Sequence, residues 1–196
     1  MLSGSFIYNE LIQIEEELRM EDFMSSQNHA AAGSLEPVRI EQKDAMILVG
    51  IAERTTNMQE ITEQAVIPKL WSRYYEQGIN TLIPDQTEPG VTYGCYCDYV
   101  DGAMGEYTIL VGVQVNSDQS MPEGVKVIKA PAAKYAVFTT RRGPMSTVVA
   151  EAWQSIWQWS MTSGYERTYT GDFEVYDRIR CADINDVEVD IYIAIK

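Results

Sequence analysis

Among the residues able to do chemistry, Glu174 stands out by its setting. It lies in the run Asp172-Phe173-Glu174-Val175-Tyr176-Asp177, whose alternation puts Phe173 and Val175 on one face of a strand and Glu174 and Tyr176 on the other. A carboxylate on an outward strand face is simply solvated. One that faces a pocket has its pKa raised by burial and lacks a counter-charge, which a lipophilic cation would supply. The aromatic residues point to such a pocket. The chain has 12 Tyr and 4 Trp against only 4 Phe, so most of its rings carry a polar handle as well as an apolar face. Ring faces also attract cations. Trp71, Tyr74 and Tyr75 fall on one predicted helix, and Trp153, Trp157 and Trp159 on another. Tyr93, Tyr96, Tyr99, Tyr107, Phe173, Tyr176 and Tyr192 fall on predicted strands. Taken singly, each reads as packing; the set reads as the wall of a site.

Other chemistries find little support. The single histidine, His29, lies in a polar stretch, and Cys95, Cys97 and Cys181 form no Cys-x-x-Cys pair. These residues build no metal site, no His-dependent triad and no disulfide framework, and no cofactor is expected. The charge balance is 15 Lys and Arg against 29 Asp and Glu, a net of −14. That argues against nucleic acid or an anionic membrane as a direct partner. The N-terminus shows no basic region followed by an apolar run, and no apolar stretch approaches spanning length, so a cytoplasmic protein is expected.

The elements that must position these residues are legible. Ile7, Leu11, Ile14 and Leu18 fall at helical spacing beneath a cover of glutamates, and the stretch from Ser25 to Ser34 is small and polar. Residues 1–35 therefore read as an acidic amphipathic helix with a linker, able to dock on the domain or on a protein partner. From residue 36 the chain repeats itself. Val38 and Val125 open equivalent strands 87 residues apart, and each half reads strand, strand, helix, strand, strand. The modules span about 36–116 and 124–196. The second helix is predicted from Pro144 to about Thr162, with Met145, Val148, Val149, Ala152, Trp153, Ile156 and Trp157 as its apolar face. In the first, Ile67, Leu70, Trp71, Tyr74 and Tyr75 form the matching stripe, Pro68 starts or kinks the helix, and Gly78 ends it. Strands joined by hairpins, with one helix per half, give an α+β fold: a mainly antiparallel sheet with two helices packed on it.

A resemblance sharpens this reading. Lys134 to Phe138, Gly143-Pro144, Trp159, Ser163-Gly164-Tyr165, Phe173-Glu174-Val175-Tyr176 and the closing strand are similar to the GyrI-like small-molecule-binding domain, which also serves AraC- and MerR-type multidrug regulators. Ile67 to Trp71 and Tyr93 to Asp98 resemble its first half, and Ala194 replaces a usual proline. The resemblance covers about residues 36–196. It implies two pseudo-symmetric βαββ-type modules forming a curved antiparallel sheet, with two helices flanking a central pocket. It implies a stand-alone effector-binding protein that takes amphipathic, cationic aromatic ligands. The family's buried glutamate maps onto Glu174, and Cys97 stands where a pocket tyrosine is common. The expected ligand-binding set is Glu174, Tyr176, Trp71, Tyr75, Tyr93, Cys97, Tyr107 and Trp153. Two alternatives stay open: a hydrolase of electrophilic cyclopropane-type natural products, and a protein that interacts with gyrase or with a separate regulator.

Overall fold

The computed structural model describes residues 35–196. The predicted acidic helix and linker lie outside the described residues, apart from Leu35. Eight strands alternate with helices: β1 (Arg39–Lys43), β2 (Met46–Thr55), β3 (Val91–Cys97), β4 (Tyr107–Val115), β5 (Lys126–Ala130), β6 (Ala133–Thr139), β7 (Asp172–Asp177) and β8 (Asp190–Ile195). The helices are α1 (Asn57–Glu60), α2 (Ile67–Glu76), α3 (Ile79–Leu82) and α4 (Met145–Thr162). The two one-turn helices α1 and α3 are additions to the predicted pattern. No helix of the described residues is long and apolar enough to cross a membrane.

Local chemistry explains where the two long helices begin. Pro68 sits in the first turn of α2, where its missing N–H costs nothing, so it starts the helix and does not kink it. The free N–H groups of Val66 and Ile67 are taken up by the Glu60 carboxylate, both at 3.1 Å. Gly78, at φ 59°, adopts the left-handed conformation that stops α2 and turns the chain into α3. Pro144 immediately precedes α4, and the first helical N–H, on Met145, bonds to the Ile184 carbonyl at 2.9 Å.

The sheet order is β1-β6-β8-β7-β3-β4-β2-β5, antiparallel throughout. Exchanging each strand for its counterpart in the other module reads the same order backwards. The pseudo-twofold therefore runs between β3 and β7, and each module lends its first strand to the other's half of the sheet. Residues 44–45 join β1 to β2, and residues 131–132 join β5 to β6, although the joined strands stand near opposite ends of the sheet. Three residue steps reach only about 10 Å, so the sheet must curl until its ends approach. The face inside the curl is buried without a helix and is filled by Tyr93, Cys95, Cys97, Tyr135, Phe173 and Tyr192 among others. The other face carries the helices. Leu70 and Tyr74 of α2 pack on β2 and β4, while Val148, Ala152, Ile156 and Trp159 of α4 pack on β6 and β8. Trp71 and Trp153 touch both of these clusters, and so lie over the seam where the modules meet.

Candidate functional site

Glu174 lies at that seam. It pairs with Gly94 in the β3·β7 ladder, which runs from Val91↔Asp177 to Tyr96↔Asp172. Strand alternation carries Glu174 and Tyr176 to the helix-bearing face, and on the neighbouring strand it carries Gly94 and Tyr96 there. The side chain is 1% exposed. Its Oε1 accepts from the Trp153 indole N–H at 2.6 Å and from the Tyr96 hydroxyl at 2.9 Å. Its Oε2 accepts from the Tyr176 hydroxyl at 2.9 Å.

Aromatic rings enclose the carboxylate. Tyr96 meets Trp153 edge-on at 5.1 Å, Trp71 meets Tyr176 edge-on at 4.8 Å, and Tyr75 stacks on Trp71 at 5.9 Å. Tyr75 is more than half exposed and forms the outer rim. Tyr107 packs against Tyr96 at 5.8 Å, one ring removed from the carboxylate. The absence of a side chain at Gly94 is what admits the carboxylate, since a Cβ there would stand 2.7 Å from Oε2 and 3.2 Å from Trp71 Cζ2.

The electrostatics follow from this enclosure. Burial pushes the Glu174 carboxyl above its ordinary range, against the pull of its three hydrogen bonds. The Tyr96 and Tyr176 hydroxyls are pushed well up, first by burial and then by the Glu174 charge, which keeps them protonated donors. An indole N–H can only donate. The site thus offers three donors to one carboxylate and no cation: among the described residues Glu174 forms no ion pair.

Two residues back on the same strand, Asp172 shows the contrast. It is also fully buried, but its Oδ2 accepts from the Arg167 guanidinium at 2.6 Å and from the Tyr99 hydroxyl at 3.0 Å, and its Oδ1 accepts from the Ala194 N–H at 2.8 Å. One buried carboxylate of β7 has an internal cation and the other has none.

Six of the eight residues predicted for the site thus gather at the seam: Glu174, Tyr176, Trp71, Trp153, Tyr75 and, one ring further out, Tyr107. Tyr93 and Cys97 do not. They share the opposite face of β3 and pack inside the curl, Tyr93 against Phe173 at 6.0 Å. Tyr96, absent from the predicted set, brings a tyrosine hydroxyl to the carboxylate from the residue before Cys97. In the sequence Gly94, the one residue of β3 without a side chain, shares a face with Tyr96, but that it stands across from Glu174 follows only from the pairing of β3 with β7. Among the described residues no group of three His, Cys, Asp or Glu side chains could hold a metal ion.

Comparison with known proteins places this geometry in context. The family described as integron-associated effector binding protein matches residues 39–195. The putative transcriptional regulator protein YobU of Bacillus subtilis is 37% identical over 153 residues, covering 78% of this chain and 94% of its own. An integron cassette protein from the mobile metagenome of Vibrio cholerae superposes with a TM-score of 0.64 at 29% identity, covering 81% of this chain and 95% of its own. SAV2435, solved bound to tetraphenylphosphonium, superposes with a TM-score of 0.65 at 20% identity, covering 81% and 93%. At that identity the last likeness is one of fold.

Proposed function

Since the chain belongs to the integron-associated effector-binding proteins, the GyrI-like group that its sequence resembles, we propose that it captures amphipathic, cationic aromatic molecules at Glu174. The observation that carries this reading is a fully buried carboxylate with three hydrogen-bond donors, an aromatic enclosure and no internal counter-charge. Buried carboxylates are costly when left without a cation, and a ligand that brings one gains from a low-dielectric setting. Trp71, Trp153 and Tyr176 supply ring faces and edges for the ligand's apolar body, and Tyr75 marks the rim. The tetraphenylphosphonium bound by SAV2435 is a lipophilic cation of this chemical class and serves as the probe.

Titration of the full chain with tetraphenylphosphonium tests the proposal. At 100 times its dissociation constant the cation should stabilise the fold by about 2.7 kcal/mol, visible as a raised Tm. It should also change tryptophan emission, because Trp71 and Trp153 border the carboxylate. Trp71→Phe and Trp153→Phe should each remove part of that change. Binding that leaves the emission of the parent untouched would place the site away from Glu174.

A further inference from the structure

Next to Glu174, three hydroxyls come together over the same strands. Tyr74 and Tyr75 bring theirs from α2, and Thr92 from β3. Thr92 pairs with Tyr176 while Gly94 pairs with Glu174. Thr92 and Glu174 are therefore diagonal neighbours on the helix-bearing face, about 7–8 Å apart. Tyr74 is wholly buried, and its hydroxyl has no hydrogen-bond partner. Burial pushes the Tyr74 and Tyr75 hydroxyls up, and Thr92 lies close enough to both to oppose that rise. It does not meet the Tyr74 hydroxyl in hydrogen-bonding geometry. A buried hydroxyl without a partner is costly and uncommon. Trp71 touches this hydroxyl's ring and the carboxylate alike. It meets Tyr74 edge-on at 6.4 Å, and its Cζ2 closes over Gly94 beside Glu174 Oε2. Its other ring contacts are with Tyr176 and with the exposed Tyr75. A ligand that reaches Glu174 by displacing Trp71 thus also reaches the side of Tyr74.

We infer that the Tyr74 hydroxyl, with Thr92 beside it, is a polar subsite of this pocket, donating to a ketone or amide oxygen carried on the ligand's apolar body about 7–8 Å from its positive charge. The inference rests on the proposed function and narrows its ligand class, from lipophilic cations in general to those with an acceptor at that spacing. Glu174 reads the charge, and Tyr74 reads the acceptor. A phenol donates one hydrogen bond, and a carbonyl oxygen has two lone pairs, so the Thr92 hydroxyl can donate to the same oxygen. A cation without an acceptor still satisfies Glu174, but it leaves the Tyr74 hydroxyl as unpaired as it is in the free protein. The acceptor therefore gains the full value of a new bond, because no bond within the fold has to be broken to make it.

The test is a matched pair of probes, (4-acetylphenyl)triphenylphosphonium and (4-isopropenylphenyl)triphenylphosphonium, titrated by calorimetry into the full chain, with tetraphenylphosphonium as reference. The two share charge and shape and differ by an oxygen in place of a methylene, set across one phenyl ring from the phosphorus. The acetyl cation should bind about fivefold more tightly, the worth of one net hydrogen bond. In Tyr74→Phe that preference should fall to about twofold or less. The same variant, without ligand, should melt no lower than the parent, because the hydroxyl it loses makes no bond in the fold. A lower Tm would show that the Tyr74 hydroxyl is already bonded internally and would overturn the inference. Equal binding of the two probes to the parent, or a preference that survives in Tyr74→Phe, would overturn it as well. Tetraphenylphosphonium binding with no preference between the probes overturns this inference alone, while failure of all three cations to bind overturns the proposed function with it.

Discussion

Asp172→Ala should destabilise the domain by about 3–5 kcal/mol, the cost of breaking a buried ion pair from one side. The variant strands a guanidinium whose side chain is only 4% exposed. It also strands the Tyr99 hydroxyl and the Ala194 N–H, both of which donate to the same carboxylate. Arg167 has little to fall back on, since its Nε is already buried without a partner and its other support is the Tyr169 ring, 4.5 Å from the guanidinium carbon. For a domain of this size the loss corresponds to a fall in Tm of roughly 6–20 °C. Urea unfolding of Asp172→Ala and of the double variant Asp172→Leu/Arg167→Met separates the pair from its desolvation. The double variant should recover much of the loss, because an apolar pair leaves no isolated charge. An equal loss in both would show that packing, and not the uncompensated guanidinium, sets the cost.

Glu174→Gln should behave in the opposite way. With its carbonyl oxygen in the place of Oε1, the glutamine keeps the bonds from Trp153 and Tyr96, and its amide meets Tyr176, whose hydroxyl can turn to accept. Shape and hydrogen bonding survive and only the charge goes. Affinity for tetraphenylphosphonium should fall by on the order of 1–3 kcal/mol, the range for contacts with a charged group. A neutral aromatic of similar shape, such as triphenylphosphine oxide, should lose much less. Stability should not fall with it. The folded-state pKa of Glu174 is raised, chiefly by burial. Its contribution to stability is therefore fully present below the ordinary carboxylate range and is lost as pH rises through the folded-state value. Scans of Tm against pH should accordingly show the variant gaining on the parent as pH rises out of the ordinary carboxylate range. Equal affinity losses for the cation and the neutral compound would remove the charge-selecting role.

The sequence made much of this legible, and particular residues show where it stopped. The helix α4 was readable because Val148, Ala152 and Ile156 repeat at helical spacing after Pro144, and β7 because Phe173 and Val175 alternate with Glu174 and Tyr176. The duplication gave the two modules. It gave no sheet order, since nothing local says that β1 pairs with β6 of the other module. Two of the predicted site residues, Cys97 and Tyr93, stand on the other face of β3. In a strand a step of one exchanges the faces, so Cys97 points into the curl while Tyr96 points at the carboxylate. Tyr93 follows Cys97 for the same reason. Both faces of β3 are buried, so the alternation of polar and apolar residues that would have told them apart is missing from Val91–Cys97. The Arg167–Asp172 pair was invisible because both residue types are commonly exposed and Arg167 lies outside the strands and helices, where no periodicity marks it as buried.

Glu174, and not another acidic group of this strongly negative chain, is proposed to receive the ligand's charge. A crystal structure of the tetraphenylphosphonium complex tests it most directly. The phosphonium should sit against the Glu174 carboxylate, with Trp71 moved from its contact with Tyr176 and with Trp153 still bonded to Oε1. A cation bound elsewhere, with Trp71 still resting on Tyr176 at 4.8 Å and Glu174 still enclosed, would contradict it.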